Sequence, residues 1–121
     1  SQLDLDKLNE LSHLFLSASD FTNFSKLHGG SKTNLCKLTR CEWVQVSEKE
    51  FHFEIAADRF LRGMVRLIVG AHLNYHRGKI TLRDVQDALE LLTPLPIVWS
   101  VDASGLCFDS VSFDNISLTL E

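Results

Sequence analysis

The 121-residue chain is 45% hydrophobic and 23% charged, with a formal net charge of −4 at neutral pH. This excludes a disordered polyelectrolyte and fits one folded domain with a core of its own. No apolar run reaches the roughly 18 residues of a membrane span, and Ser1-Gln2-Leu3-Asp4 has neither the basic region nor the apolar core of a secretory signal.

The first predicted element is a helix over Asp4 to Leu16. Leu5, Leu8, Leu11 and Phe15 recur at helical spacing, Asp4 can cap the start, and Lys7, Glu10 and Ser12 fall elsewhere on the helix. Ser19 or Asp20 then caps a short second helix carrying Phe21 and Phe24, which Gly29-Gly30-Ser31-Lys32 ends in a loop. Two strands follow. Cys36 to Ser47 is rich in Thr, Trp and Val, and Phe51, Phe53 and Ile55 alternate with His52 and Glu54, so Ser47-Glu48-Lys49-Glu50 reads as their hairpin turn.

A long apolar helix is predicted from Asp58, as its N-cap, to Tyr75, with Gly78 beyond its end. On this helix Arg59, Arg62 and Arg66 share one stripe beside Gly63 and Gly70, which would let another backbone approach closely. Arg66, between Val65 and Leu67, needs an anionic partner, either a local acid such as Glu54 or Asp58 or a group from elsewhere. Thr81 and Asp84 form a capping box for the next helix, whose buried face is Leu82, Val85, Leu89 and Leu92 and which Pro94 and Pro96 end. Ile97 to Trp99 is a further strand or a buried connection. The tail reads as two strands, Leu106 to Phe113 and Ile116 to Leu120, with a turn at Asp114-Asn115. The order predicts an α+β domain: a largely antiparallel sheet with helices packed on one face.

The mean charge hides an asymmetry. Residues 26–83 carry a net +6 and the flanks a net −10, and the segment 25–40 holds Lys26, Lys32, Lys37 and Arg40 without an acid. Such a segment fits a polyanion-facing loop; the plainer reading is a solvated surface. Cys36, Cys41 and Cys107 match no zinc or redox spacing and read as buried thiols of a reducing compartment. His72 and His76 are four apart on one helix, yet no third ligand stands near them in sequence, so no metal is expected. There is no phosphate-binding glycine loop, nucleophile elbow or HExxH, and no self-sufficient catalytic centre can be nominated.

The order of motifs, however, resembles a known family. Asp20-Phe21-Thr22-Asn23-Phe24, the basic loop with Ser31-Lys32, the Lys37-Leu38-Thr39-Arg40 strand and Met64-Val65-Arg66-Leu67-Ile68-Val69-Gly70 match in sequence. With Ala103-Ser104-Gly105-Leu106, they resemble the C-terminal half of the tRNA pseudouridine synthase A (TruA) family over roughly residues 8 to 113. The resemblance implies a cofactor-free, metal-free isomerase that converts uridine to pseudouridine in the tRNA anticodon stem-loop. It implies a cytoplasmic homodimer in which this chain is a single C-terminal domain over residues 1–121. By this reading the N-terminal domain, with the family's R-T-D-x-G-V-H-A motif and its catalytic Asp, is absent here, so the chain alone is inactive. The missing initiator Met agrees with a cut piece.

By the same resemblance Arg66 pairs with that Asp and Leu106 walls the uracil pocket. Lys32 and the basic loop (Lys26, Lys37, Arg40) contact tRNA, together with Arg59 and Arg62. The family's stacking Tyr has no counterpart here. Arg62-Gly63 replaces a frequent His-His, and Asn74-Tyr75-His76 replaces a glycine turn before Arg77-Gly78-Lys79 resumes the pattern. The alternative reading is a stand-alone RNA-binding or dimerisation module without catalysis.

Overall fold

A computed structural model of the chain describes residues 3–25, 34–48, 50–91, 93, 106–111 and 115–120. The elements in order are α1 (Leu5–Ser17), a single 3-10 turn (Thr22–Phe24), β1 (Leu38–Gln45), β2 (Phe51–Ala57), α2 (Met64–His76), α3 (Leu82–Glu90), β3 (Leu106–Val111) and β4 (Asn115–Leu120). The strands form one antiparallel sheet in the order β1-β2-β4-β3. The α+β expectation holds, including both tail strands. Ile97 to Trp99, Leu92 and the two prolines lie outside the described residues.

Strand β2 shows why one face carries the core. Phe51, Phe53, Ile55 and Ala57 are buried, and His52, Glu54 and Ala56 between them are only half-buried. In β1 the buried residues are Leu38, Cys41 and Trp43, a spacing that strict alternation forbids. A register slip between Leu38 and Arg40 resolves it: the irregularity inserts one residue and turns Leu38 to the core side. On the other face Glu42 lies directly opposite Glu54, a like-charge pair that destabilises a sheet by itself. Arg40 relieves it by bridging both, at 2.7 Å to Glu42 and 2.6 Å to Glu54. The hairpin turn closes as expected, with the Val46 and Ser47 amides donating to the Glu50 carbonyl.

Helix α1 starts at Asp4, whose carboxylate accepts from the Lys7 amide. It buries Leu8, Leu11 and Phe15 as expected, but also Ser12, which the sequence placed away from the core. The reason is a hydrogen bond: the Ser12 hydroxyl lies 2.8 Å from His72 Nε2 in the centre of the domain. Asn9 tethers α1 to the sheet. Its side-chain amide donates to the Trp43 carbonyl (3.0 Å) and accepts from the Trp43 amide (2.8 Å), satisfying the outward edge of β1. Tyr75 donates to Glu10, with Lys7 over its ring, and the Asp4 amide donates to His76.

Three expectations need correction. The second helix is only one 3-10 turn, which ends at Ser25 in extended backbone; Asp20 accepts from the Thr22 amide and hydroxyl at its start, and Phe21 and Phe24 are fully buried. The long helix begins at Met64, not Asp58. Asp58 continues the β ladder instead, its amide donating to the Lys37 carbonyl and its carboxylate accepting from the Lys37 amide. Gly63 then takes a left-handed φ of 73°, which closes a turn and starts α2. Arg59 and Arg62 therefore precede the helix and share no helical stripe with Arg66, and Gly70 is buried.

The capping box of α3 is complete: Thr81 accepts from the Asp84 amide, and Asp84 accepts from the Thr81 amide. Thr81→Ala should cost about 1 kcal/mol, read as a lower urea midpoint with unchanged slope. An unchanged midpoint would show that α3 is not part of the cooperative unit.

Candidate functional site

Four of the basic residues predicted for function follow the chain from the start of β1 and the end of β2 into the start of α2. Lys37 and Asp58 face each other across the ladder, and Arg59 follows Asp58. Lys37 is exposed, whereas Arg59 is half-buried with Nη1 3.5 Å from the Leu35 carbonyl. The chain then passes through exposed Arg62 and enters α2, whose third residue is the half-buried Arg66. One strand end, one turn and one helical start thus carry four of the predicted cations.

The start of α2 is electrostatically unusual. Its N-cap is Gly63, which has no side chain to accept from the first amides, and its first turn holds no acid. A helix N-terminus carries roughly half a positive charge, so carboxylates are favoured there and cations are not. Arg66 adds a full cation to that positive end. A guanidinium is the side chain best shaped to hold a carboxylate or phosphate, through two parallel hydrogen bonds.

Neither of the two described thiols, Cys36 and Cys41, offers a nucleophile. Burial raises the pKa of Cys36, with nearby Arg59 pulling it down, and burial pushes Cys41 up to about 12 despite its hydrogen bond with Ser12. Among the described residues no group of three or more His, Cys, Asp or Glu is arranged to hold a metal. His72 lies in the core, bonded to Ser12, and His76 accepts from the Asp4 amide, so the two rings are held by different partners. No helix among the described residues is long and apolar enough to cross a membrane.

A family model described as "tRNA pseudouridine synthase" matches residues 13–114. The chain belongs to the tRNA pseudouridine synthase family. It is similar to the tRNA pseudouridine synthase A of Bacteroides fragilis, 49% identical over 88 residues, or 73% of this chain and 35% of the relative. The corresponding protein of Azobacteroides pseudotrichonymphae is 36% identical over 108 residues, covering 89% and 43%. That of Porphyromonas gingivalis is 42% identical over 90 residues, covering 74% and 36%. The matched segments thus span only 35–43% of these relatives. No solved structure matches it.

The other predicted positions of this family member are distributed as follows. Lys26 and Lys32 lie outside the described residues. Leu106 opens β3, where it pairs with Leu120 of β4. Arg40 is exposed on the sheet face opposite the core, held by Glu42 and Glu54. Sequence reading missed the buried Ser12, Cys41 and His72 cluster. A signal for it existed, since His72 is four residues from Ile68 on the apolar side of α2.

Proposed function

We propose that this chain forms the C-terminal half of a tRNA pseudouridine synthase and completes an active-site cleft whose catalytic Asp comes from the N-terminal half. The observation that carries this reading is the place of Arg66, half-buried in the first turn of α2 and inside the segment that the family model matches. A guanidinium there can hold a carboxylate through two parallel hydrogen bonds. In the reaction the glycosidic bond of a uridine breaks, the uracil turns, and the base rejoins the ribose through carbon. Arg66 would keep the Asp ionised in a partly dry pocket and fix its direction. The matched share of the relatives, 35–43%, leaves room in each of them for a second segment that supplies this Asp.

Leu106 would wall the uracil pocket. Lys26, Lys32, Lys37, Arg59 and Arg62 would contact the backbone of the tRNA anticodon stem-loop, and Arg40 could join them only by releasing its glutamates. The same reading makes the intact protein a cytoplasmic homodimer working without a cofactor. Unmodified tRNA transcripts test it. The intact protein should form pseudouridine in the anticodon stem-loop, and this chain alone should form none. Conversion by the chain alone would overturn the shared cleft, and none by the intact protein would leave the non-catalytic RNA-binding module.

A further inference from the structure

The turn between α2 and α3 carries charge that the site above does not use. Residues 59–83 hold six of the chain's twelve Lys and Arg and none of its sixteen Asp and Glu. Three of the six are Arg77, Lys79 and Arg83, all exposed. The helix dipole accounts for Arg77 and Lys79, which follow the C-terminus of α2, but not for Arg83, which sits in the first turn of α3 where a cation is disfavoured. Its pairing with Asp87 at 3.1 Å leaves its side chain 79% exposed, and the order Arg then Asp is the weaker one along a helix. The nearest acid, Asp84, is turned back into the capping box. Gly78, at a φ of 77°, forms the tip of the turn, and a Cβ there would meet no atom within 4 Å. The tip is therefore open to close approach.

We infer that this turn is a second RNA contact, binding phosphates remote from the reacting nucleotide through Arg77 and Lys79, with Arg83 beside them. The inference rests on the function proposed above. Eleven residues separate Arg66 from Arg77, which at helical geometry is about 16 Å along α2 and about 20° around it. The two cations lie close to one line along the helix. A single nucleotide at Arg66 cannot reach the turn, but a folded RNA with its uridine at Arg66 can. The partner is thus an extended polyanion.

The test uses the intact protein and an unmodified tRNA transcript, with Arg77→Gln combined with Lys79→Gln; both residues are exposed, and an unchanged melting temperature checks the fold. The double variant should bind tRNA roughly 5- to 20-fold more weakly near 0.1 M salt. The slope of log affinity against log salt should shrink by roughly 1.4 to 1.8, because each phosphate contact contributes about 0.7 to 0.9. Pseudouridine formation at saturating tRNA should be unchanged. Equal affinity and slope in variant and parent would overturn the turn contact alone. The same holds if tRNA binding is unchanged while the oligomeric state shifts, since the turn would then face protein. A parent protein that binds no tRNA would overturn this inference together with the function proposed above.

Discussion

Arg66→Ala in the intact protein should lower pseudouridine formation per bound tRNA by roughly 100-fold or more, with the tRNA dissociation constant within about twofold of the parent. The size follows from what a preorganised charge partner contributes in a shielded site, roughly 10²- to 10³-fold for one lost contact. The separation of turnover from affinity follows from geometry. A guanidinium half-buried at a helix start can hold one carboxylate firmly, but it adds little to a tRNA surface that touches many phosphates. Arg66→Lys should recover only part of the loss, because an ammonium keeps the charge but not the planar fork. Single-turnover rates and filter binding on the same transcript separate the two effects. If affinity and turnover fell together, Arg66 would be a phosphate binder and the proposed pairing would fail.

The second large effect concerns stability. His72 is completely buried, ringed by Phe15, Trp43 and Phe53. Its Nδ1 is 2.8 Å from the Ile68 carbonyl, which can only accept, so Nδ1 carries the proton and Nε2 accepts from Ser12. The polar groups around the ring, Ser12 and the Cys41 thiol bonded to it, carry no charge to balance an imidazolium. Burial lowers the pKa from 6.5 to about 4, against the opposing pull of the Ile68 carbonyl. Between those values the unfolded chain binds a proton that the folded one refuses. Stability is therefore complete above pH 6.5 and falls as the pH drops, by about 1.4 kcal/mol per unit, levelling off near pH 4. From pH 7 to pH 5 this amounts to roughly 2 kcal/mol. Urea titrations across that range should show the loss, and His72→Gln should remove about one proton from the slope. An NMR titration checks the same point directly. A His72 ring that titrates near pH 6.5 in the folded protein would refute the account.

Much of the fold could be read in the chain because its signals were local. Alternation in β2 and the Thr81–Asp84 box each depend on neighbours within a few residues, and each appeared where expected. The failures were tertiary. The residues from Asp58 to Gly63 look helical in isolation, but Asp58 has a ladder partner in Lys37, 21 residues earlier, and the ladder prevails. Leu38 and Cys41 could not both be assigned to the core without the register slip between Leu38 and Arg40. For the site, the order of the cations along the chain could be read, but not that Lys37 would meet Asp58 across the ladder and that Arg59 would reach the Leu35 carbonyl. Arg40 illustrates the gap: it belongs to the same basic run as Lys37, yet two glutamates from β1 and β2 claim it.

The amide of Asn9 has a consequence for handling this protein. β1 is an edge strand, and an unguarded edge recruits strands from other molecules. Asn9 acts as a one-residue surrogate strand, closing both outward-facing backbone groups of Trp43. Trimming the chain to begin after α1 would do more than weaken the core. It would leave the Leu38–Gln45 segment as a template for intermolecular pairing, so the shortened domain should be lost to aggregation during expression. The first helix is thus a guard against self-association as well as a layer of the fold.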